Sequence, residues 1–195
     1  DVAFTNNIVR HVTAGVNMHG RDDNYPSRQT KRILIKNNFF EDVGGARWGG
    51  EEYRRGTLFQ IVSGTADIVI DHNTALQTGK IIIAEGSPHS GFVYQNNVTL
   101  HNHEGVLGAG TGTGIPTLKA YFPGAVVRRN VIVGGDRARY PRDNFFPASL
   151  AKVGFVDPVA GKFFFADSSP YRRAGTERKD PGVDFTKLNF PGGVL

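Results

Sequence analysis

The stretch ILIKNN at residues 33–38 places apolar side chains at Ile33 and Ile35, two residues apart, and then runs into a polar doublet closed by Asn38. The same program returns four more times, as VAFTNN (2–7), IVIDHN (68–73), FVYQNN (92–97) and AVVRRN (125–130). Aligned on the last asparagine, the paired apolar positions are Val2/Phe4, Ile33/Ile35, Ile68/Ile70, Phe92/Tyr94 and Ala125/Val127. A period of two is a strand with one face buried. A fixed side-chain program recurring along a chain is the signature of a stacked repeat rather than of one globular core.

The closing residues Asn7, Asn38, Asn73, Asn97 and Asn130 are spaced by 31, 35, 24 and 33 residues. The shortest interval is close to one three-sided coil, and the others leave room for insertions. Stacked coils place these amides above one another as a ladder that satisfies them inside the turn. Asparagine also tolerates the left-handed region, which suits it to the corner. A second strand follows in most coils, headed by Gly15, Gly56, Gly79 or Gly105, each expected to supply a positive-φ corner. Each coil thus reads as strand, Asn corner, short segment, Gly, strand, loop. Repetition in one direction makes the pairing parallel, and such crossovers are right-handed. The fold class is all-β, a right-handed parallel β-helix of about five coils. The only stretch expected to hold a helix is 143–152, interrupted by Pro147.

The chain of 195 residues suits one domain, with coils over 1–139 and an irregular cap over 140–195 packed on the last coils. With no cysteine, a disulfide framework, thiol catalysis and a zinc–thiolate site are excluded. No stretch has the length and apolarity of a membrane span. The net charge of +5 is carried by arginines spread through the chain, which reads as a solvated surface rather than a nucleic-acid patch. The first coil begins at Asp1 without a cap. The expectation is therefore a carboxy-terminal piece of a longer protein, self-associating through the strand at 2–8.

The coils together with the tail, VGFVDPVAGKFFFADSSPYRRAGTERKDPGVDF at 153–185, resemble the right-handed parallel β-helix proteins of the pectate-lyase-like superfamily, in particular extracellular bacterial members. The tail carries the resemblance through Phe155, Asp157, Phe164, Ser169, Pro170, Ala174, Gly175 and Gly182. The resemblance implies a secreted or cell-surface protein with a polysaccharide, acidic in some members, as partner. It leaves open lyases, hydrolases, epimerases and adhesive or structural solenoids, because fold does not choose among them.

Loops leaving the same corner should stack into one wall, here from 17–30, 84–91 and 108–123. A lyase needs a cation against the uronate carboxylate and a base for the C5 proton, roles that Arg21, His89 and Lys119 fit. Asp22 and Asp23 offer hard oxygen ligands for Ca²⁺. Tyr53, Tyr121 and Glu85 are the expected sugar contacts, and Trp48 either stacks on a sugar ring or covers the open corner of the coil as core. Hydrolysis would instead pair Asp22 or Asp23 with Glu85 across one bond. The run HNHEG at 101–105 sets His101, His103 and Glu104 close together, which without a ligand from another coil reads as a solvated corner. His72 reads as a turn residue in the place of an asparagine.

Overall fold

Three strands, not two, recur in each of the first four coils. In the computed structural model, which describes residues 1–22, 24–44, 48 and 56–188, the first coil is β1 (Val2–Thr5), β2 (Ile8–Val12) and β3 (Val16–His19). The second is β4 (Lys31–Lys36), β5 (Phe39–Val43) and β6 (Phe59–Val62), and the third is β7 (Ala66–Asp71), β8 (Thr74–Gln77) and β9 (Ile82–Glu85). The fourth is β10 (Val93–Gln95), β11 (Val98–Leu100) and β12 (Val106–Gly108). Helix α1 (Ile115–Tyr121) follows, then β13 (Val126–Arg128) and β14 (Val131–Val133) of the fifth coil, and a hairpin of β15 (Phe155–Asp157) and β16 (Lys162–Phe165) in the tail. First, second and third strands stack into three all-parallel sheets, here A, B and C, in the order of the coils. This is a right-handed parallel β-helix. The short segment expected after the Asn corner is itself sheet B. Its strands are too brief, and apolar on both faces in several coils, to show the alternation that marks the others.

Identical positions stack in register: Phe4 pairs with Ile35, Ile35 with Ile70, Ile70 with Tyr94 and Tyr94 with Val127. These inward rows join Phe40, Phe59, Ile61, Ile82 and Val106 from the other sheets in one interior core. The buried Tyr94 hydroxyl meets Thr99 Oγ1 at 3.2 Å, and burial raises its pKa beyond the ordinary phenol range.

The asparagine ladder is present and one rung longer than expected. The amide Oδ1 of each rung accepts from the backbone N–H and the Nδ2 of the rung before it, at 2.9–3.0 Å, from Asn7 through Asn38, Asn73, Asn97 and Asn130 to Asn144. The repeat was expected to stop at Tyr140, but Asn144 continues it and Phe145 bridges Val131 in parallel. The left-handed residue is not the ladder asparagine. It is the one before it: Asn6, Asn37, His72, Asn96 and Arg129, all at φ 51–59°. Two header glycines, Gly56 and Gly105, have positive φ; Gly15 and Gly79 do not. At Gly15 the requirement is instead close approach, since a Cβ there would collide with the Leu58 carbonyl oxygen. The expected helix at 143–152 is only a 3₁₀ turn, Leu150–Val153, and the α-helix lies in the 108–123 insertion.

The tail does more than cap the last coils. It runs back along the outer face of sheet B and buries a second core of Phe39, Val98, Val131, Val153, Phe155, Phe163 and Phe165. Phe39 of the second coil sits 5.4 Å from the ring of Phe163 and 5.2 Å from that of Phe185. Ser169 Oγ donates to the Val153 carbonyl at 2.7 Å, which explains one conspicuous tail position.

Two kinds of asparagine explain the doublets. The second turns inward to the ladder, and the first, left-handed one faces the tail. Asn37 Oδ1 accepts the N–H of Asp184 at 2.6 Å, and Asn96 Oδ1 accepts that of Thr176 at 2.8 Å. Residues 182–184 cross three coils in three steps: the N–H of Gly182 reaches the Asn96 carbonyl (2.6 Å), that of Val183 reaches Thr74 Oγ1 (3.0 Å), and that of Asp184 reaches Asn37.

Candidate functional site

Among the described residues, Arg21, Asp22, His89 and Tyr121, expected on the loop side, are engaged with their own neighbours rather than with one another. Arg21 is exposed, and its guanidinium donates to the Ser27 carbonyl at 3.4 Å. Asp22 Oδ1 accepts the N–H groups of Asn24 and Tyr25 at 2.8 and 2.9 Å, and those bonds hold its carboxyl below the usual range. Its oxygen is engaged in a closed polar turn; Asp23 and Tyr53 lie outside the described residues. Lys119 is exposed on α1, and the Tyr121 hydroxyl donates to the Ala109 carbonyl at 2.9 Å while its ring covers Gly108. Glu85 ends β9 and lies in one register row of sheet C with Val62 and His19. No hydrogen bond or ion pair among the described residues links Arg21, His89 and Lys119. Nor do those residues contain a group of three or more carboxylate, imidazole or thiol donors placed to hold a metal ion.

His89 is in the core, 1 % exposed, rather than on the loop surface. Its Nδ1 accepts the Thr65 N–H at 3.0 Å, and its ring stacks on Phe122 at 4.9 Å. Burial pushes its pKa down to about 4, only partly offset by the Ile61 carbonyl. A value lowered in the folded state means that the unfolded chain takes up the proton first as pH falls. The stability is therefore complete above pH ~6.5 and is lost toward pH 4, by up to about 3 kcal/mol. Urea midpoints measured from pH 7 to 4.5 should fall in the native protein and fall less in His89→Asn. Equal slopes would remove His89 as the cause.

Trp48 closes the corner between the first two coils. Its Nε1 donates to Asp42 Oδ2 at 3.0 Å, its carbonyl accepts from Thr13 Oγ1 at 2.7 Å, and its ring lies 4.8 Å from that of His11. His101 is buried edge-on against Tyr140 at 5.5 Å, and Glu104 pairs with Lys80 at 2.5 Å, so the HNHEG run is split between core and surface. Burial pushes the Tyr140 phenol up to about 12, against the Val106 N–H that its oxygen accepts.

A concavity lies at the opposite corner, between the tail and the outer asparagine row. It is a cleft of about 1320 Å³ whose floor includes Asn6, Asn37, Lys36 and His72 and whose wall is the tail from 178 to 188 with Arg173 and Phe163–Phe165. The tail touches this corner on either side of His72, at Asn37 and at Asn96. Beneath it Asp71 is buried and accepts from Lys36 Nζ at 2.8 Å, His72 Nδ1 at 2.6 Å and Asn96 Nδ2 at 2.8 Å. Burial alone would raise that carboxyl; the three donors outweigh it and hold the group far below the ordinary range.

Among the described residues, five cations line the cleft against two carboxylates. Lys179 pairs with Glu177 at 2.6 Å and Lys187 with Asp184 at 3.1 Å. Arg173 and Arg178 are exposed, and among the described residues their guanidiniums have no hydrogen-bond or ion-pair partner. Sequence reasoning passed over this site because its residues come from a charged tail and from corner positions separated by over a hundred residues. The available signal was the density of charge in RRAGTERKD at 172–180 beside three consecutive phenylalanines. Compared with known proteins, the chain matches no family, no curated protein and no solved structure.

Proposed function

We propose that this chain is the β-helix portion of a secreted polysaccharide-binding protein of the pectate-lyase-like kind, which holds an extended glycan along its coils without cutting it. The observation that carries this reading is the continuity of the outer face of sheet A with the cleft. Outward positions recur once per coil, as Leu34, Val69, Val93 and Val126 in one row and Lys36, Asp71, Gln95 and Arg128 in the next. Val126 is 40 % exposed, and Lys36 and Arg128 are exposed. Successive members of a row, about 4.8 Å apart, present a repeating polymer with a repeating surface, and Lys36 belongs to both the sheet and the cleft.

A second reading, a structural or adhesive module with no glycan ligand, is favoured by the loop side, where Asp22, Trp48, His89 and Tyr121 are engaged with their own neighbours. A panel of polygalacturonate, alginate and neutral glycans, with and without Ca²⁺, separates the two. Saturable binding with neither new ultraviolet absorbance nor new reducing ends is the expected result. Binding to none of them supports the structural module, and absorbance from unsaturated uronate would replace binding with lyase activity.

A further inference from the structure

We propose that the cleft beneath the tail contains a discrete anion site, built by Arg173 and Arg178, that takes one carboxylate or sulfate group of a ligand whose ring lies against Phe164. The proposal rests on the reading of this cleft as a binding surface and adds the group it selects. Both arginines line the cleft and, among the described residues, are the cations of its wall without a partner. Lys36, Lys179 and Lys187 are each matched by a carboxylate, of Asp71, Glu177 and Asp184. Asp180, the remaining acid of the lining, is turned back onto the N–H of Arg173 at 2.6 Å.

The loop that carries the two arginines is fixed. The Arg173 N–H bond to Asp180 and the Gly175 N–H bond to the Lys179 carbonyl (2.8 Å) close it at its base, and Asn96 holds it to the fourth coil through Thr176. Arg173, Glu177 and Arg178 all sit at φ 55–57°. Non-glycine residues keep that backbone where their surroundings impose it. The backbone that carries both guanidiniums is therefore pre-formed, which lowers the ordering cost of binding, and each guanidinium supplies planar donors suited to a two-oxygen anion. Phe164 completes the site. Its neighbours Phe163 and Phe165 are buried in the second core, whereas Phe164 stays 44 % exposed and lines the cleft.

The direct probes are sodium sulfate and sodium glucuronate, each titrated at constant ionic strength against chloride and followed by NMR shifts and calorimetry. The native chain is expected to saturate with at least one of them, and the preferred anion identifies the group. Arg173→Ala and Arg178→Ala should each weaken the response about tenfold, and the double variant should lose saturation. Both side chains are exposed, so the urea midpoints of the variants should match the native one and report that the fold is intact. No saturable response in the native chain, or the same response in the double variant, overturns the site. Acidic polysaccharide serves as the second arm. If it binds the native and double-variant chains alike, the anion site falls and the glycan reading stands. If no polysaccharide binds but either anion saturates in an arginine-dependent way, the glycan reading falls and the anion site stands.

Discussion

Asn73→Ala should cost this protein about 3–6 kcal/mol. The Asn73 amide is fully buried and sits at the centre of the ladder. Its Oδ1 accepts both the backbone N–H and the Nδ2 of Asn38, at 3.0 and 2.9 Å, and its Nδ2 donates to the Ile35 carbonyl and to Asn97 Oδ1, at 3.0 and 2.9 Å. Truncation leaves two donors of Asn38 and the carbonyl of Ile35 without these partners in a region that water does not reach. Each buried orphan costs about 1–3 kcal/mol, and neighbouring rungs are coupled rather than additive. Asn7→Ala is the internal control. Asn7 is only half-buried and no described rung donates to its Oδ1, so its removal orphans fewer groups and should cost about 1 kcal/mol. Urea unfolding of the two variants measures the contrast, and an Asn73→Ala loss within 1 kcal/mol of the Asn7→Ala loss would deny the ladder its role.

Gly182→Ala should release the tail. Gly182 sits at φ +85°, and a Cβ there would lie 2.5 Å from Thr74 Oγ1 and 2.9 Å from Val98 Cγ2. Its N–H bond to the Asn96 carbonyl leaves the backbone little room to retreat. Left-handed backbone alone costs a β-carbon roughly 1–2 kcal/mol, and the collision brings the expected loss to about 2–4 kcal/mol. Gly124→Ala separates the two contributions, because Gly124 has φ +74° and nothing within 4 Å of the added carbon. Limited proteolysis and dye binding should detect an exposed face of Phe39, Val98 and Val131 in Gly182→Ala and not in Gly124→Ala. The cleft should vanish with the tail, and ligand binding with it. Equal stability of the two variants would show that the tail is not seated through Gly182.

The solenoid was legible because its information is periodic: five copies of one program fix strand, corner and parallel sense at once. Sheet B was not, since strands such as Val98–Leu100 are too short for a period to declare itself, and one of their faces is buried by a tail over fifty residues away. The sixth rung was legible in principle, since DNFF at 143–146 repeats the NFF of 38–40, but it lacks the apolar strand that leads into the other copies. The candidate loop residues were chosen for chemical type alone. Nothing in the type of His89 says that its ring stacks on Phe122, because that contact depends on how a helix absent from the repeat returns to the coil. The cleft escaped for the same reason, being made where two distant parts of the chain meet.

Residues 182–184 touch the fourth, third and second coils in turn, one backbone N–H to each. The tail is thus a gauge, graduated at one residue per coil and fastened at both ends by outward asparagines. Growth of the solenoid by whole coils is neutral for the inner ladder, which accepts another rung anywhere. It is not neutral for the gauge. A coil duplicated between Asn37 and Asn96 would separate the two fastenings by a further ~5 Å and detach one of them, whereas a coil added ahead of β1 would leave them undisturbed. Lengthening of such a protein is accordingly directional, open on the amino-terminal side of the gauge and closed within it.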